Sequence, residues 1–321
     1  MISAKYSKYA FLAASIAILL GIVFYINPGV IASYIEKSDK AMLLAAFVLA
    51  NVTLVLRALK WYVLLTEADF IKLLPVQMFG MTISNLTPGK IAEPVKSVVL
   101  KFYCNTPVSL SLPTVIWERV LDLIVLLFFS AIASAFFIEK FVIGVIPLLV
   151  FTALVIVMVL VIYNKPLGRK LFSILRKFRL NVTEEFIDAF YSSKIEKRRI
   201  LLSLAITFAV WLMDGALFFL VIKSMVNDFN LSVMEVTSLW ALSLLAGLIT
   251  SLPGGMGGSD AVMILLLSFL GVEKGVAGSG VLLARALSLG YGLLVGYLSF
   301  LYLIRKIDMK HLKTVIDDVI S

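Results

Sequence analysis

The chain contains one cysteine and one histidine in 321 residues. Cys104 has no second thiol in the chain to pair with, and neither residue type is present in sufficient number for a Cys/His zinc site. No metal or cofactor is therefore expected. His311 stands in the polar C-terminal segment and reads as a solvated side chain. Charge is scarce as well, at 15% of residues against roughly 25% in an ordinary soluble domain. No Gly-x-x-x-x-Gly-Lys-Ser/Thr stretch occurs, which argues against direct drive by ATP. No polar stretch is long enough to form a separate soluble catalytic module, so an enzyme is not the first expectation.

What fills the chain instead is apolar: 61% of residues are hydrophobic. Runs near the ~20 residues needed to span a bilayer recur throughout, so residues 1–321 read as a single all-α polytopic membrane domain. Full spans are expected at about 10–26, 41–65, 112–137, 141–163, 200–222 and 276–303, six in all. The first is too long for a secretory h-region and lacks a small-x-small cleavage site, so it reads as a retained span.

Two stretches depart from this pattern. Residues 73–103 and 234–271 each hold apolar runs too short to cross twice, interrupted by "TPGKIAEP" and "PGGMGG". Each reads as a re-entrant helical hairpin broken near its tip by Pro-Gly. The tips are Pro88 and Gly89 in the first, and Pro253, Gly254, Gly255, Gly257 and Gly258 in the second.

Charge sets the orientation. With both hairpins returning to their side of entry, seventeen Lys and Arg fall on the side of the N-terminus, the segment 66–72, the 164–199 loop and the tail after 304, against five on the other. By the positive-inside rule both termini are cytoplasmic, in the cell membrane, and the net charge of +9 reports topology and an anionic leaflet rather than nucleic acid. In the basic loop, Leu171, Ile174, Leu175 and Phe178 stand at near-helical spacing. They suit an amphipathic helix on the leaflet surface or a solvated helix pair.

The same parity makes the hairpins enter from opposite sides. Pro88 lies 31 residues before Arg119 and Pro253 lies 32 before Arg285, an offset of about 165 residues. An inverted repeat is expected, with 41–137 as the first unit and 200–303 as the second. Such repeats with broken helices are a transporter arrangement, the substrate sitting near the midplane between the broken ends.

Charges inside the spans then become candidates for a site, because a central Arg, Lys or Asp costs about 2.5–3.5 kcal/mol on insertion scales. Arg57, Lys96, Arg119 and Arg285 are expected to contact a headgroup phosphate, helped by positive half-helix N-termini. Glu93, Glu118, Asp122 and Asp260 are expected to serve as counter-ions or proton carriers. Local readings stand beside these: Glu118, Arg119 and Asp122 can neutralise one another at helical spacing. Arg57 and Lys60 can snorkel to the interface, and Asp260 can simply cap a helix. Asp214, in mid-span, is a further anomaly.

At these residues the chain resembles the lysylphosphatidylglycerol synthase transmembrane region family. The matching stretches are "LRALKW" at 56–61, "LTPGKIAEPVK" at 86–96, "WERVLDL" at 117–123, "PGGMGGSDAV" at 253–262 and "LLARALSL" at 282–289. The resemblance implies movement of lipids between leaflets, as of aminoacylated phosphatidylglycerol. It does not imply a synthase, since the soluble aminoacyltransferase domain of larger members has no counterpart here. Departures from the family pattern are Ala92 before Glu93 in place of Gly-Glu, Lys96 in place of Arg, and Asp260 in place of Glu. They bear on headgroup geometry, because Lys lacks the bidentate fork of Arg.

The expected function is thus a flippase or scramblase-like transporter whose partner is a phosphate-bearing membrane lipid: anionic, aminoacylated or polyprenyl-linked. An intramembrane enzyme using the carboxylates as acid and base, and a non-transporting scaffold, are the alternatives. "GLLVG" at 292–296 places small residues four apart, for a homodimer or for packing within the bundle.

Overall fold

The computed structural model describes residues 4–65, 68–87, 92–138, 164–170, 195–226, 228–250 and 252–307, with a few single positions between 153 and 191. Helix dominates and no strand occurs among the described residues. The expected span at 141–163 is almost wholly outside them, as are Pro88, Gly89 and Lys90, the four apolar positions of the basic loop, and His311.

The first helix, α1 (Ala4–Ile26), is followed by α2 (Pro28–Lys37) across a single residue, Asn27. Asn27 takes a positive φ of 78° and its side chain accepts the Gly29 N–H at 2.9 Å, while Pro28 fills the first helical position. That start signal forces a 76° bend between Ser15–Ile26 and Pro28–Lys37. The apolar run expected at 10–26 therefore ends in a corner.

Asp39 then caps α3 (Lys40–Leu64) by accepting the Ala41 and Met42 N–H groups. The chain continues through α4 (Phe70–Leu86), α5 (Val95–Cys104) and α6 (Val108–Ile138), and resumes with α7 (Lys197–Lys223), α8 (Val233–Thr250), α9 (Gly258–Phe269) and α10 (Lys274–Arg285). A π turn at Ala286–Gly290 leads without a break into α11 (Tyr291–Leu303). Three of these stretches are long and apolar enough to cross a membrane: Lys40–Leu64, Lys197–Lys223 and Lys274–Leu303. The bent pair at Asn27 makes a fourth if it is one span. Helix α6 is 31 residues long and carries Glu118, Arg119 and Asp122 in its first half.

Helices α3 and α7 pack along each other, as do α6 with α8 and α4 with α11. The first two run antiparallel: Ser203 Oγ donates to Lys60 O at 3.2 Å, and Arg199 Nη1 to Val63 O at 3.4 Å. Lipid tails are as apolar as side chains, so close approach at small residues matters more here than burial of oil from water. A Cβ on Gly280 would fall 2.7 Å from Ile222 Cγ1, and one on Gly296 would fall 2.6 Å from Met78 O. Helices α10 and α11 close on α7 and α4 at these points. Gly292, one turn earlier, faces open space, so the two glycines of "GLLVG" do different jobs. The largest core cluster joins Val125 and Phe129 of α6 to Trp211 and Phe218 of α7 and Trp240 of α8. Phe218 and Trp240 stack with centroids 4.3 Å apart.

Both expected helix breaks are present. Helix α4 stops at Leu86, where the Thr87 N–H turns back to Ser84 O at 3.2 Å, and the Ala92 N–H reaches the Thr87 hydroxyl at 3.4 Å from the far side of the break. Helix α8 stops at Thr250, and a tight turn at Pro253–Gly255 leads to α9. Gly254 and Gly257 have φ of 59° and 84°, backbone that side chains with a Cβ rarely adopt. The two breaks touch: a Cβ on Gly254 would lie 3.3 Å from the carbonyl oxygen of Asn85, and the turn packs on α4.

Candidate functional site

The first break is lined by a buried ionic cluster drawn from three helices and the turn before α5. Lys96 Nζ donates to Gln77 Oε1 at 2.9 Å, to Glu93 Oε1 at 3.2 Å, and to Glu118 Oε2. These three acceptors use every N–H of the ammonium, which also lies 4.4 Å from the centroid of the Trp61 ring. Trp61 is held in turn by its indole N–H, which donates to Thr114 Oγ1 at 2.9 Å. Gly80 makes room for the lysine: a Cβ there would stand 2.7 Å from Lys96 Cβ.

Lys60 joins the same cluster, donating to Asp122 Oδ1 at 2.6 Å and lying 3.7 Å from Glu118 Oε1. The interfacial snorkelling considered for this residue does not occur. Lys60 is fully buried, because two carboxylates of α6 lie within its reach and water need not be sought at the membrane surface.

Arg119 closes the cluster. Its Nε meets Glu93 Oε2 at 2.9 Å and its Nη2 meets Asp122 Oδ2 at 2.7 Å. The spacing argument joined Arg119 to Asp122, and that contact forms; Glu118 instead turns to the two lysines. Three cations, Lys60, Lys96 and Arg119, thus balance three anions, Glu93, Glu118 and Asp122. Within this neutral set Arg119 is the most accessible side chain, at 32%, while Lys96 and Glu118 are at 0%.

The second break carries a smaller version. Asp260, in the first turn of α9, accepts the Gly257 N–H at 2.8 Å through Oδ2 and meets Arg285 Nε at 2.8 Å through Oδ1. Helix capping and ion pairing, read as alternatives in the sequence, are both served by one carboxylate. Arg285 also donates through Nη2 to Gly254 O at 2.7 Å and lies 5.2 Å from the Trp240 ring centroid. Its partner comes from another helix, which is why its own span offers no acid.

In both halves, then, an Arg some 31 or 32 residues beyond the break proline meets, through Nε, the acid that follows that break: Glu93 for Arg119 and Asp260 for Arg285. A third pair joins Arg57 on α3 to Asp214 on α7. Arg57 thus has a different carboxylate partner from Lys96, Arg119 and Arg285, and Asp214 takes the place of the interface in satisfying it. Residues outside the expected site set are Lys60, Gln77, Trp61, Asp214 and Trp240. The sequence signal for Lys60 and Asp214 was charge within an apolar run; Gln77 and the two tryptophans carried none.

The profile of the lysylphosphatidylglycerol synthase TM region family matches residues 12–296. The chain is also similar to archaeal proteins named UPF0104 membrane proteins. One, from Methanocaldococcus jannaschii, is 26% identical over 326 residues, covering 93% of this chain and 96% of its own. Another, from Methanothermobacter thermautotrophicus, is 25% identical over 313 residues, covering 88% and 92%. A third, from Pyrococcus horikoshii, is 22% identical over 320 residues, covering 90% and 95%. The family match covers both ionic sites, and with the apolar helices it makes this a multi-pass membrane protein. The chain belongs to the lysylphosphatidylglycerol synthase transmembrane region family.

Proposed function

We propose that the protein moves a phosphate-bearing lipid between leaflets of the cell membrane, acting as a transporter rather than as an enzyme. The substrate class is an anionic or aminoacylated phospholipid, or a polyprenyl-phosphate-linked lipid. The observation that carries this reading is the repeated Arg–carboxylate pair, Arg119–Glu93 and Arg285–Asp260, each set at a helix break, with the two breaks in contact through Asn85 and Gly254. Guanidinium groups beside helix ends suit a phosphate, and broken helices are tolerated in a membrane where they line a polar path.

In this reading the bundle has six full spans and two opposed re-entrant hairpins related as an inverted repeat, with both termini cytoplasmic. The exchange of helix partners supports it: α4 packs on α11 while α8 packs on α6, so each hairpin's first arm lies on the last span of the other unit. The accessible Arg119 would receive the headgroup first, while the acyl or prenyl chains stay in lipid. Glu93 and Asp122 would release Arg119 as the phosphate arrives and take it back on departure.

The test is leaflet transfer in proteoliposomes holding phosphatidylglycerol labelled on one acyl chain, with a membrane-impermeant quencher outside. Without protein only the outer half of the label is lost; with protein the loss goes beyond half. Arg119→Gln and Arg285→Gln should each slow this second phase by about tenfold or more, as expected for loss of one charge-assisted phosphate contact. Unchanged transfer in both variants removes the proposed site, and a chemically altered lipid recovered from the vesicles moves the protein into the enzyme class.

A further inference from the structure

A separate cluster of cations stands where the ends of α3 and α7 meet, away from both helix breaks. A cleft of about 370 Å³ is lined there by Tyr62, Val63, Leu65, Glu196, Arg198, Arg199 and Leu202. Arg199 is braced on the wall, its Nη1 donating to Val63 O at 3.4 Å and its Nε lying 3.7 Å from Glu196 Oε2. Arg198 is exposed and has no partner among the described residues, and Lys197 beside it is exposed as well. Glu196 is 72% exposed, so the local balance is three cations against one well-solvated acid.

The composition of the walls narrows the ligand. Tyr62, Leu201 and Leu202 are exposed apolar side chains directly beside the arginines, on two helices long and apolar enough to span a membrane. A free anion would need the cations alone. An amphipathic molecule would use both parts, with its phosphate on the guanidinium forks and its chains along Tyr62 and Leu202. Lys197, Arg198 and Arg199 are consecutive in the sequence, a run of charge to which an anionic leaflet would be attracted.

We infer that this cleft holds an anionic phospholipid by its phosphate as a resident, non-transported lipid. The occupant is anchored at Arg198 and Arg199, and its site shares no residue with the ionic clusters at the breaks. It steadies the junction of α3 and α7, which also carries the Lys60 O to Ser203 contact.

The experiment measures lipid retention on the purified full chain by native mass spectrometry, using dioleoyl phosphatidylglycerol, dioleoyl phosphatidylcholine and inorganic phosphate as probes. Phosphatidylglycerol should be retained in preference to phosphatidylcholine. Arg198→Gln with Arg199→Gln should weaken that retention roughly thirtyfold, as expected for the loss of two interfacial cations together. Arg198→Lys with Arg199→Lys, which keeps the charge and the fold, should fall between. Inorganic phosphate should not displace the lipid.

Equal retention of both lipids, displacement by inorganic phosphate, or undiminished retention in the Gln variant each overturns the assignment. The last result would mean that the lipid is held elsewhere on the chain. The readout is binding and not leaflet transfer, so failure here leaves the transport reading standing, and failure of transport in Arg119→Gln leaves this site standing.

Discussion

Arg285 and Asp260 meet at 2.8 Å across α10 and α9, and the same guanidinium donates at 2.7 Å to the carbonyl of Gly254 in the turn between α8 and α9. One side chain thus ties a spanning helix both to the cap of a short helix and to the turn that precedes it. The pair is nearly dry, with side-chain exposures of 11% and 1%.

Removing one member of this pair should be costly. Arg285→Gln strands a buried carboxylate, and the expected loss is about 3–5 kcal/mol of stability. Adding Asp260→Asn should restore part of it, so that the double variant unfolds less readily than the sum of the single losses requires. A double-mutant cycle on thermal unfolding in detergent measures this. Strict additivity would mean that the two side chains do not stabilise each other.

Gly80 should tolerate no side chain larger than hydrogen without moving Lys96. Gly80→Ala places a methyl 2.7 Å from Lys96 Cβ, and overpacking of this kind costs about 1–3 kcal/mol. The measurement is the unfolding temperature. The effect should shrink when Gly80→Ala is made in a Lys96→Gly, Glu118→Gln background, where the Cβ it meets is gone and one buried charge with it. Persistence of the full loss would place the strain elsewhere.

The two glycines of "GLLVG" should answer to alanine with opposite signs. Gly292 faces open space within a helix, so Gly292→Ala should raise stability by about 0.5–1 kcal/mol through lower backbone entropy of the unfolded chain. Gly296 sits against Thr82 and Met78 O, and Gly296→Ala should lower stability. A Gly292→Ala variant that instead loses stability and separates into lighter particles on light scattering would place a second copy of the chain against that face.

Arg57 and Asp214 are less enclosed, at 23% and 13% side-chain exposure. Asp214→Asn should therefore cost less stability than Arg285→Gln, about 1–3 kcal/mol, because water can reach the orphaned guanidinium. The comparison is made on unfolding temperatures in one detergent. Equal losses would show that the α3–α7 seam is as dry as the second break.

Much of the architecture could be read in advance because it is written in local patterns. The end of α4 at Leu86, the turn at Pro253–Gly255, the long apolar helices Lys40–Leu64 and Lys197–Lys223, and the Arg119–Asp122 contact all follow from runs and spacings within one segment. Charges lodged in apolar runs marked the side chains that meet in ion pairs. Their partners were harder, because Arg57 and Asp214 are 157 residues apart and Lys60 and Asp122 are 62 apart. No periodicity within a helix reports which neighbour packs against it. The corner at Asn27 was legible in "INPG" as a cap followed by proline, yet the apolar run on its N-terminal side dominated the reading. The π turn at Ala286–Gly290 leaves no mark of its own, since its residues suit an α-helix equally well.

The three-against-three balance around Lys60, Lys96 and Arg119 means that the unladen site is already occupied, by carboxylates of its own chain. Glu93 rests on Arg119 much as a headgroup phosphate would in the proposed cycle. Capture of a lipid then becomes an exchange of one anion for another, and net affinity is only the difference between them. Weak holding is the natural result, and under the proposed transport, in which the lipid must be let go on the far side, it is the useful one.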